Sequence, residues 1–263
     1  MLDTEYIKNR YSGILVVGDI HGDEESMWSA LQFASINDLF FMSLGDIVDY
    51  GAKNYECSIN MGYFVERQKG AMVIGNHDFK FWKYICQRAQ GEIKVQVKGG
   101  MVSTVNQFEK SDEGVRQRWI DDFEIIMRNS AFHYVIDNMM FVHGGAHKNL
   151  WSTKSSSSLP SKLRSRALFG QIDPVNRFNE ETGYPNRIYD WIDDVNNNEE
   201  PKLIFVGHDI QSKDAPVIKS SLDGTVKVCF MDTGCSKGGK LSGMVLKRDK
   251  DFKWNLGKVL NFS

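Results

Sequence analysis

The sequence predicts an α/β fold whose parallel strands end on one shared polar rim. Two observations carry that expectation. In the N-terminal part, short apolar runs alternate with helical stretches, the pattern of a βαβ unit. Three successive runs each stop at a glycine followed by a side chain able to bind metal or move a proton.

The elements follow in order. Gly13–Val17 reads as a buried strand closed by Gly18-Asp19. Asp23 is a fitting N-cap for a helix with Met27, Leu31 and Ala34 on one face. Residues 39–44 form a second apolar run closed by Gly45-Asp46, residues 55–68 a second helix, and residues 71–74 a third strand closed by Gly75-Asn76-His77-Asp78. Ligands of parallel sheets lie beyond the carboxyl ends of the strands, so these polar groups should converge. Residues 79–128 read as a helical insert, expected to cap the site. Residues 131–136 and 139–142 suggest paired strands joined at Asp137-Asn138, the second ending at His143-Gly144-Gly145. The serine run at 155–158 is expected to be a flexible loop. Strands at 202–206 and 226–231 end at Gly207-His208 and Asp232-Thr233-Gly234-Cys235, and residues 241–246 are expected to close a second sheet. The 263 residues show no internal repeat and are read as one domain spanning 1–263.

The net charge of −2 argues against an extended nucleic-acid surface, which needs a strongly basic face. It leaves open a nucleotide or the end of an RNA. The four cysteines form no CxxC pair. Met1 to Arg10 carry no apolar stretch and no run approaches the ~20 residues that span a bilayer, so a cytoplasmic protein with reduced thiols is expected.

Asp19, His21, Asp46, Asn76, His143 and His208 are the candidate metal ligands. Mixed carboxylate, amide and imidazole donors suit Mn²⁺, Fe²⁺ or Zn²⁺, and one carboxylate can bridge two ions ~3.5–4 Å apart. His77 is the candidate general acid, with Asp49 placed to orient it.

These motifs, running in order from Gly18-Asp19-Ile20-His21-Gly22 through Gly45-Asp46-Ile47-Val48-Asp49 and Gly75-Asn76-His77-Asp78 to His143-Gly144-Gly145 and Gly207-His208, resemble the calcineurin-like metallophosphoesterases of the phosphoprotein-phosphatase type. The resemblance implies a four-layer αββα sandwich and two divalent ions, with Mn²⁺ the first choice. Asp19, His21 and Asp46 would hold one ion; Asp46, Asn76, His143 and His208 would hold the other. It implies direct attack of a metal-bound hydroxide on a phosphomonoester, with His77 and Asp49 as the acid pair. Arg166-Ala167-Leu168-Phe169-Gly170, Gly183-Tyr184-Pro185-Asn186-Arg187 and the segment from Asp232 to Leu241 are similar to a bacterial branch. That branch contains the diadenosine tetraphosphatases and the phosphatase domain of polynucleotide kinase–phosphatase. Nucleotides or RNA ends are therefore expected ahead of phosphoproteins; a broad-specificity protein phosphatase and a binding module without turnover are the alternatives.

The sequence departs from the family at Tyr50, where an arginine usually grips the substrate phosphate. Asn76, Arg166, Arg187 and Tyr50 are the candidate substrate contacts, with Lys237 a third cation that could stand in. Tyr50→Arg is expected to raise phosphate release. Asp232 is a further candidate site residue, Trp151 a candidate for base stacking, and His133 and His147 match no motif.

Overall fold

The computed structural model describes residues 2–156, 158–181, 183–196, 198, 200–251 and 253–263. Ser157, within the expected serine loop, lies outside the described residues. The first half contains α1 (Thr4–Arg10), β1 (Gly13–Val17), α2 (Glu24–Ile36), β2 (Leu39–Ser43), α3 (Asn54–Glu66), β3 (Gly70–Met72), α4 (Asn76–Ala89), α5 (Met101–Lys110) and α6 (Glu113–Asn129). The second half contains β4 (His133–Ile136), β5 (Met139–Val142), α7 (Ser161–Phe169), α8 (Trp191–Asp194), β6 (Lys202–Val206), β7 (Val217–Ser220), β8 (Val226–Phe230), β9 (Leu241–Arg248) and β10 (Trp254–Phe262).

The strands form two mixed sheets, ordered β10-β9-β1-β2-β3 and β4-β5-β6-β8-β7. β1, β2 and β3 are parallel, as are β5, β6 and β8. The sheets stack face to face. Ile14 and Val16 of β1 meet Phe40 and Met42 of β2 and Met139, Phe141 and Phe205 of the second sheet in a dry core. The alternate residues Leu15, Val17 and Phe41 pack outward with Met27 and Leu31 of α2. Because strand side chains alternate with a period of two, β1 must be apolar throughout to serve both cores, and all five of its residues are buried. With α7 and α8 on the far face of the second sheet, the layers run αββα.

Two expectations are corrected. Residues 241–246 belong to β9, which pairs with β1 in the first sheet and does not close the second. Residues 79–128 carry α5 and most of α4 and α6, with a non-helical stretch at 90–100, and do not cap the site. They pack through Phe81, Phe108, Trp119 and Phe123 against α3, with Trp119 Nε1 donating to Ser58 Oγ at 2.9 Å. An apolar helix face buries best against another apolar face, so this set thickens the outer layer. α1, β7 and β10 have no counterpart in the sequence reading.

Candidate metal centre

All six candidate ligands sit just beyond the carboxyl ends of parallel strands. Asp19 and His21 follow β1, Asp46 follows β2, and Asn76 opens α4 after β3. His143 follows β5, and His208 follows β6. The loops are bolted together by main-chain bonds: Ile20 and His21 N–H donate to the Asp46 carbonyl at 3.1 and 2.9 Å. His21, Asp46, Asp49, Tyr50 and His208 all adopt positive φ, between 51° and 78°. Such conformations cost about 1–3 kcal/mol each for residues other than glycine and concentrate at functional sites. At Gly75 and Gly207 the close approach itself requires glycine: an added Cβ would sit 2.1 Å from Asp46 Oδ1 and 2.3 Å from Asp19 Oδ1, respectively.

Asp46 is the centre of the arrangement. It belongs to two groups, His21–Asp46–His77 and Asp46–His143–His208, whose donor atoms lie within 4.8 Å of one another in each group. His143 Nε2 stands 3.2 Å from Asp46 Oδ2 and 3.0 Å from Asn76 Oδ1. Asp19 Oδ2 is 3.9 Å from His21 Nε2. The tautomers are set from behind. His21 Nδ1 lies 2.9 Å from the Val48 carbonyl and His143 Nδ1 2.7 Å from that of Leu44, so each Nδ1–H donates there and each Nε2 is turned toward the ligand cluster.

The electrostatics fit divalent cations. Burial pushes the His21 pKa down to about 3 and holds His208 well below its ordinary value, which keeps both imidazoles neutral. Burial opposes charge on Asp46 as well, yet His143 and His77 outweigh it and hold the carboxyl well below the usual range. Asp19 is driven the other way, by burial and then by Asp232 and Asp46. Asp232 Oδ2 is buried without a hydrogen-bond partner among the described residues. Clustered buried carboxylates with an orphaned oxygen are costly unless a cation balances them.

His77 lies beside this group. Its N–H donates to Asp46 Oδ1 at 2.8 Å, and its Nδ1 is 2.5 Å from Asp49 Oδ2. Burial lowers the His77 pKa, but the charge on Asp46 and the bond to Asp49 outweigh it, and the net shift is upward. Asp49 is itself held by Thr104 Oγ1 of α5 at 2.5 Å. Asp78 is a second hidden support. It is fully buried and accepts from the N–H groups of Asp46 (2.6 Å), Ile47 (3.0 Å) and Gly75 (3.1 Å). An acid at the third position of a helix was the available signal for Asp78. Thr104 had none.

A cavity of about 750 Å³ opens above the centre. Its floor is Asp19, His21, Asp46, Asn76 and His77, and its walls include Tyr50, Phe169, Tyr184, Arg187 and Lys237. No described residue from 79–128 lines it. The overhang is instead an antiparallel excursion tied by the bridges Ile172–Arg187 and Phe178–Pro185. Arg187 reaches His208 Nε2 at 2.6 Å and Asp209 at 3.7 Å. Arg166 is not brought to the cavity: its guanidinium donates to Gln171 behind the wall. Trp151 is not exposed for stacking either, since its Nε1 donates to the Val195 carbonyl at 3.0 Å and Lys202 covers the ring. His133 and His147 bond to backbone groups away from the floor.

A two-sheet αββα sandwich with this centre at one end defines a metal-dependent phosphoesterase. The chain belongs to the calcineurin-like phosphoesterase family, which matches residues 13–225; the family implies divalent metal ions. It is 26% identical over 242 residues to the asymmetrical bis(5'-nucleosyl)-tetraphosphatase PrpE of Anoxybacillus flavithermus (strain DSM 21510 / WK1), covering 87% of this chain and 88% of the relative. Among solved structures it resembles a "putative diadenosine tetraphosphatase" (TM-score 0.55, 16% identity, covering 96% of this chain and 95% of that one). It also resembles a Saccharomyces cerevisiae protein serine/threonine phosphatase with similarity to human phosphatase PP5 (TM-score 0.57, 14% identity, covering 98% and 82%). At these identities the two structures speak to the fold alone. No helix among the described residues is long and apolar enough to cross a membrane.

Proposed function

We propose that the chain is a dinuclear phosphohydrolase acting on phosphomonoesters of nucleotides or RNA ends. The observation that carries this reading is Asp46, one buried carboxylate common to two candidate ligand groups, the first of which includes His77, with Asp49 bonded to that histidine. Asp19, His21 and Asp46 would hold one divalent ion; Asp46, Asn76, His143 and His208 would hold the second. Mn²⁺ is the proposed metal, ahead of Fe or Zn. Two such ions, when bound, neutralise phosphoryl charge and lower the pKa of water.

The remaining work falls to the chain. The Val48 and Leu44 carbonyls keep the Nε2 atoms of His21 and His143 presented as donors. Asp49 takes the Nδ1–H of His77, which turns Nε2 toward the floor, where it lies 3.9 Å from Asp46 Oδ2. Asp46 and Asp49 together favour the protonated ring, so His77 can give a proton to a leaving oxygen. Arg187 and Lys237 supply positive charge on the wall.

The retained chain His77–Asp49–Thr104 counts against a binding module without turnover, and the overhang formed by Asn179 and residues 184–187 counts against a broad, flat protein-phosphatase surface. The likeness to the PrpE tetraphosphatase favours a second reading, asymmetric cleavage of a dinucleoside tetraphosphate. Phosphate release from p-nitrophenyl phosphate with Mn²⁺, with and without a chelator, tests the class. The same assay then ranks nucleotides, phosphorylated RNA ends and diadenosine tetraphosphate. Mn²⁺-dependent release is the expected result; metal-loaded protein without release on any of these substrates would refute turnover.

A further inference from the structure

The cavity wall carries a cation that makes no ion pair with a carboxylate among the described residues. Lys237 Nζ stands 4.3 Å from the centre of the Tyr50 ring and 3.0 Å from His21 Nε2. No carboxylate lies within 4.0 Å of this ammonium among the described residues. Arg187, by contrast, is answered in part by Asp209 at 3.7 Å. Lys213 turns its ammonium to the Lys237 carbonyl, not to the floor.

The placement of Lys237 is built into the fold. Gly234 and Gly238 take positive φ, and Lys237 and Gly239 N–H donate back to the Gly234 carbonyl at 2.8 and 2.9 Å. Ser236 Oγ ties the turn to the His21 carbonyl at 2.8 Å. The Tyr50 ring is fixed as well: its N–H donates to the Gly100 carbonyl at 3.2 Å, and a Cβ on Gly100 would lie 2.6 Å from the ring. An ammonium over an aromatic face at this distance is a cation–π pair.

An ammonium has three N–H donors and needs acceptors. The acceptor it meets at the floor, His21 Nε2, is also a proposed metal donor. Once that lone pair serves a dication, Lys237 loses this acceptor, and its N–H donors are left for a group bound above the metal. We infer that Lys237, carried on the Tyr50 ring, is the cation that grips the substrate phosphate. The charge expected at position 50 would thus be supplied from the turn at 234–238. This rests on the proposed phosphohydrolase activity. It also revises the expectation for Tyr50→Arg: an arginine there would face Lys237, so a gain is expected only when Lys237 is removed too.

The experiment measures inorganic phosphate binding to the Mn²⁺-loaded full chain by calorimetry, with Mn²⁺ content determined in parallel. Lys237→Ala should weaken phosphate binding by about tenfold to a hundredfold, the range for losing one charge-assisted hydrogen bond. Mn²⁺ content should be unchanged. Lys237→Arg should recover most of the affinity, and Tyr50→Arg combined with Lys237→Ala should recover part of it. Were Lys237→Ala to lose its fold by circular dichroism, Lys237→Met keeps the stem and carries the same expectation. Phosphate binding within about twofold of wild type in a folded, Mn²⁺-loaded Lys237 variant would overturn the inference while leaving the activity standing. A wild-type chain that neither binds nor releases phosphate would overturn both.

Discussion

The floor and the wall of the cavity are built by different means. On the floor, each candidate ligand follows a parallel strand within a few residues; Asp19, His21, Asp46 and His143 are almost wholly buried, and each of these four is held by a carbonyl or a backbone N–H. On the wall, Tyr184 and Phe169 are well exposed, and the positions of Arg187 and Lys237 depend on loops that meet only in three dimensions. The floor's geometry is therefore inherited from the sheets, whereas the wall's is assembled from turns. Chemistry placed on rigid strand ends can be kept while the wall is refitted, and Tyr50 with Lys237 is an instance of such refitting.

If that contrast holds, substitutions on the floor should be far more damaging than those on the wall. Asp46→Asn is expected to have the largest effect. It removes one negative charge from both ligand groups, so bound Mn²⁺ should fall and turnover should drop by about a thousandfold or more; metal analysis beside a rate assay checks both. Next comes His77→Ala, which should lower turnover by about 10²–10⁴ while metal content stays near wild type. Full activity of that variant on a substrate with a poor leaving group would remove His77 from the mechanism. On the wall, Arg187→Ala should raise KM by about tenfold with a smaller change in kcat, because it loses a substrate contact and leaves the floor intact. A loss of metal in Arg187→Ala would break the division between floor and wall.

The smallest effect lies outside both regions. His133 is fully buried in β4, and burial lowers its pKa below the ordinary 6.5. The unfolded chain therefore binds a proton there that the folded chain resists. Stability from this group is present above about pH 6.5 and is lost as pH falls through the depressed folded value. Chemical denaturation of His133→Gln against wild type between pH 7.5 and pH 5 should show a shallower loss in the variant. An identical slope would assign the acid sensitivity to other groups.

The same contrast explains what the sequence discloses. The rim could be read because glycine followed by Asp, Asn or His at the end of an apolar run is a local signal, and β1, β2, β5 and β6 fall where their runs place them. The sheet to which β9 belongs could not be read, since pairing with β1 is a long-range choice that the apolar pattern at 241–246 leaves open. β7 and β10 escaped notice because they are edge strands with broken burial, Val217 and Lys219 half-buried and Ile218 exposed. Arg166 was expected in the site from its neighbouring motif, but one helical residue's direction depends on how α7 docks, and it points to Gln171. Thr104 supports Asp49 from 55 residues away in the chain, a pairing without any sequence mark.

The central claim is that Asp46 is shared by two cations. Metal content of the purified chain after Mn²⁺ loading, read together with the electron paramagnetic resonance spectrum, tests it most directly. The account predicts about two Mn²⁺ per chain with the spectrum of a coupled pair, as expected for ions bridged ~3.5–4 Å apart, and loss of that coupling in Asp46→Asn. A fully active chain with a single uncoupled Mn²⁺, or an Asp46→Asn variant that keeps the coupled pair, would contradict it.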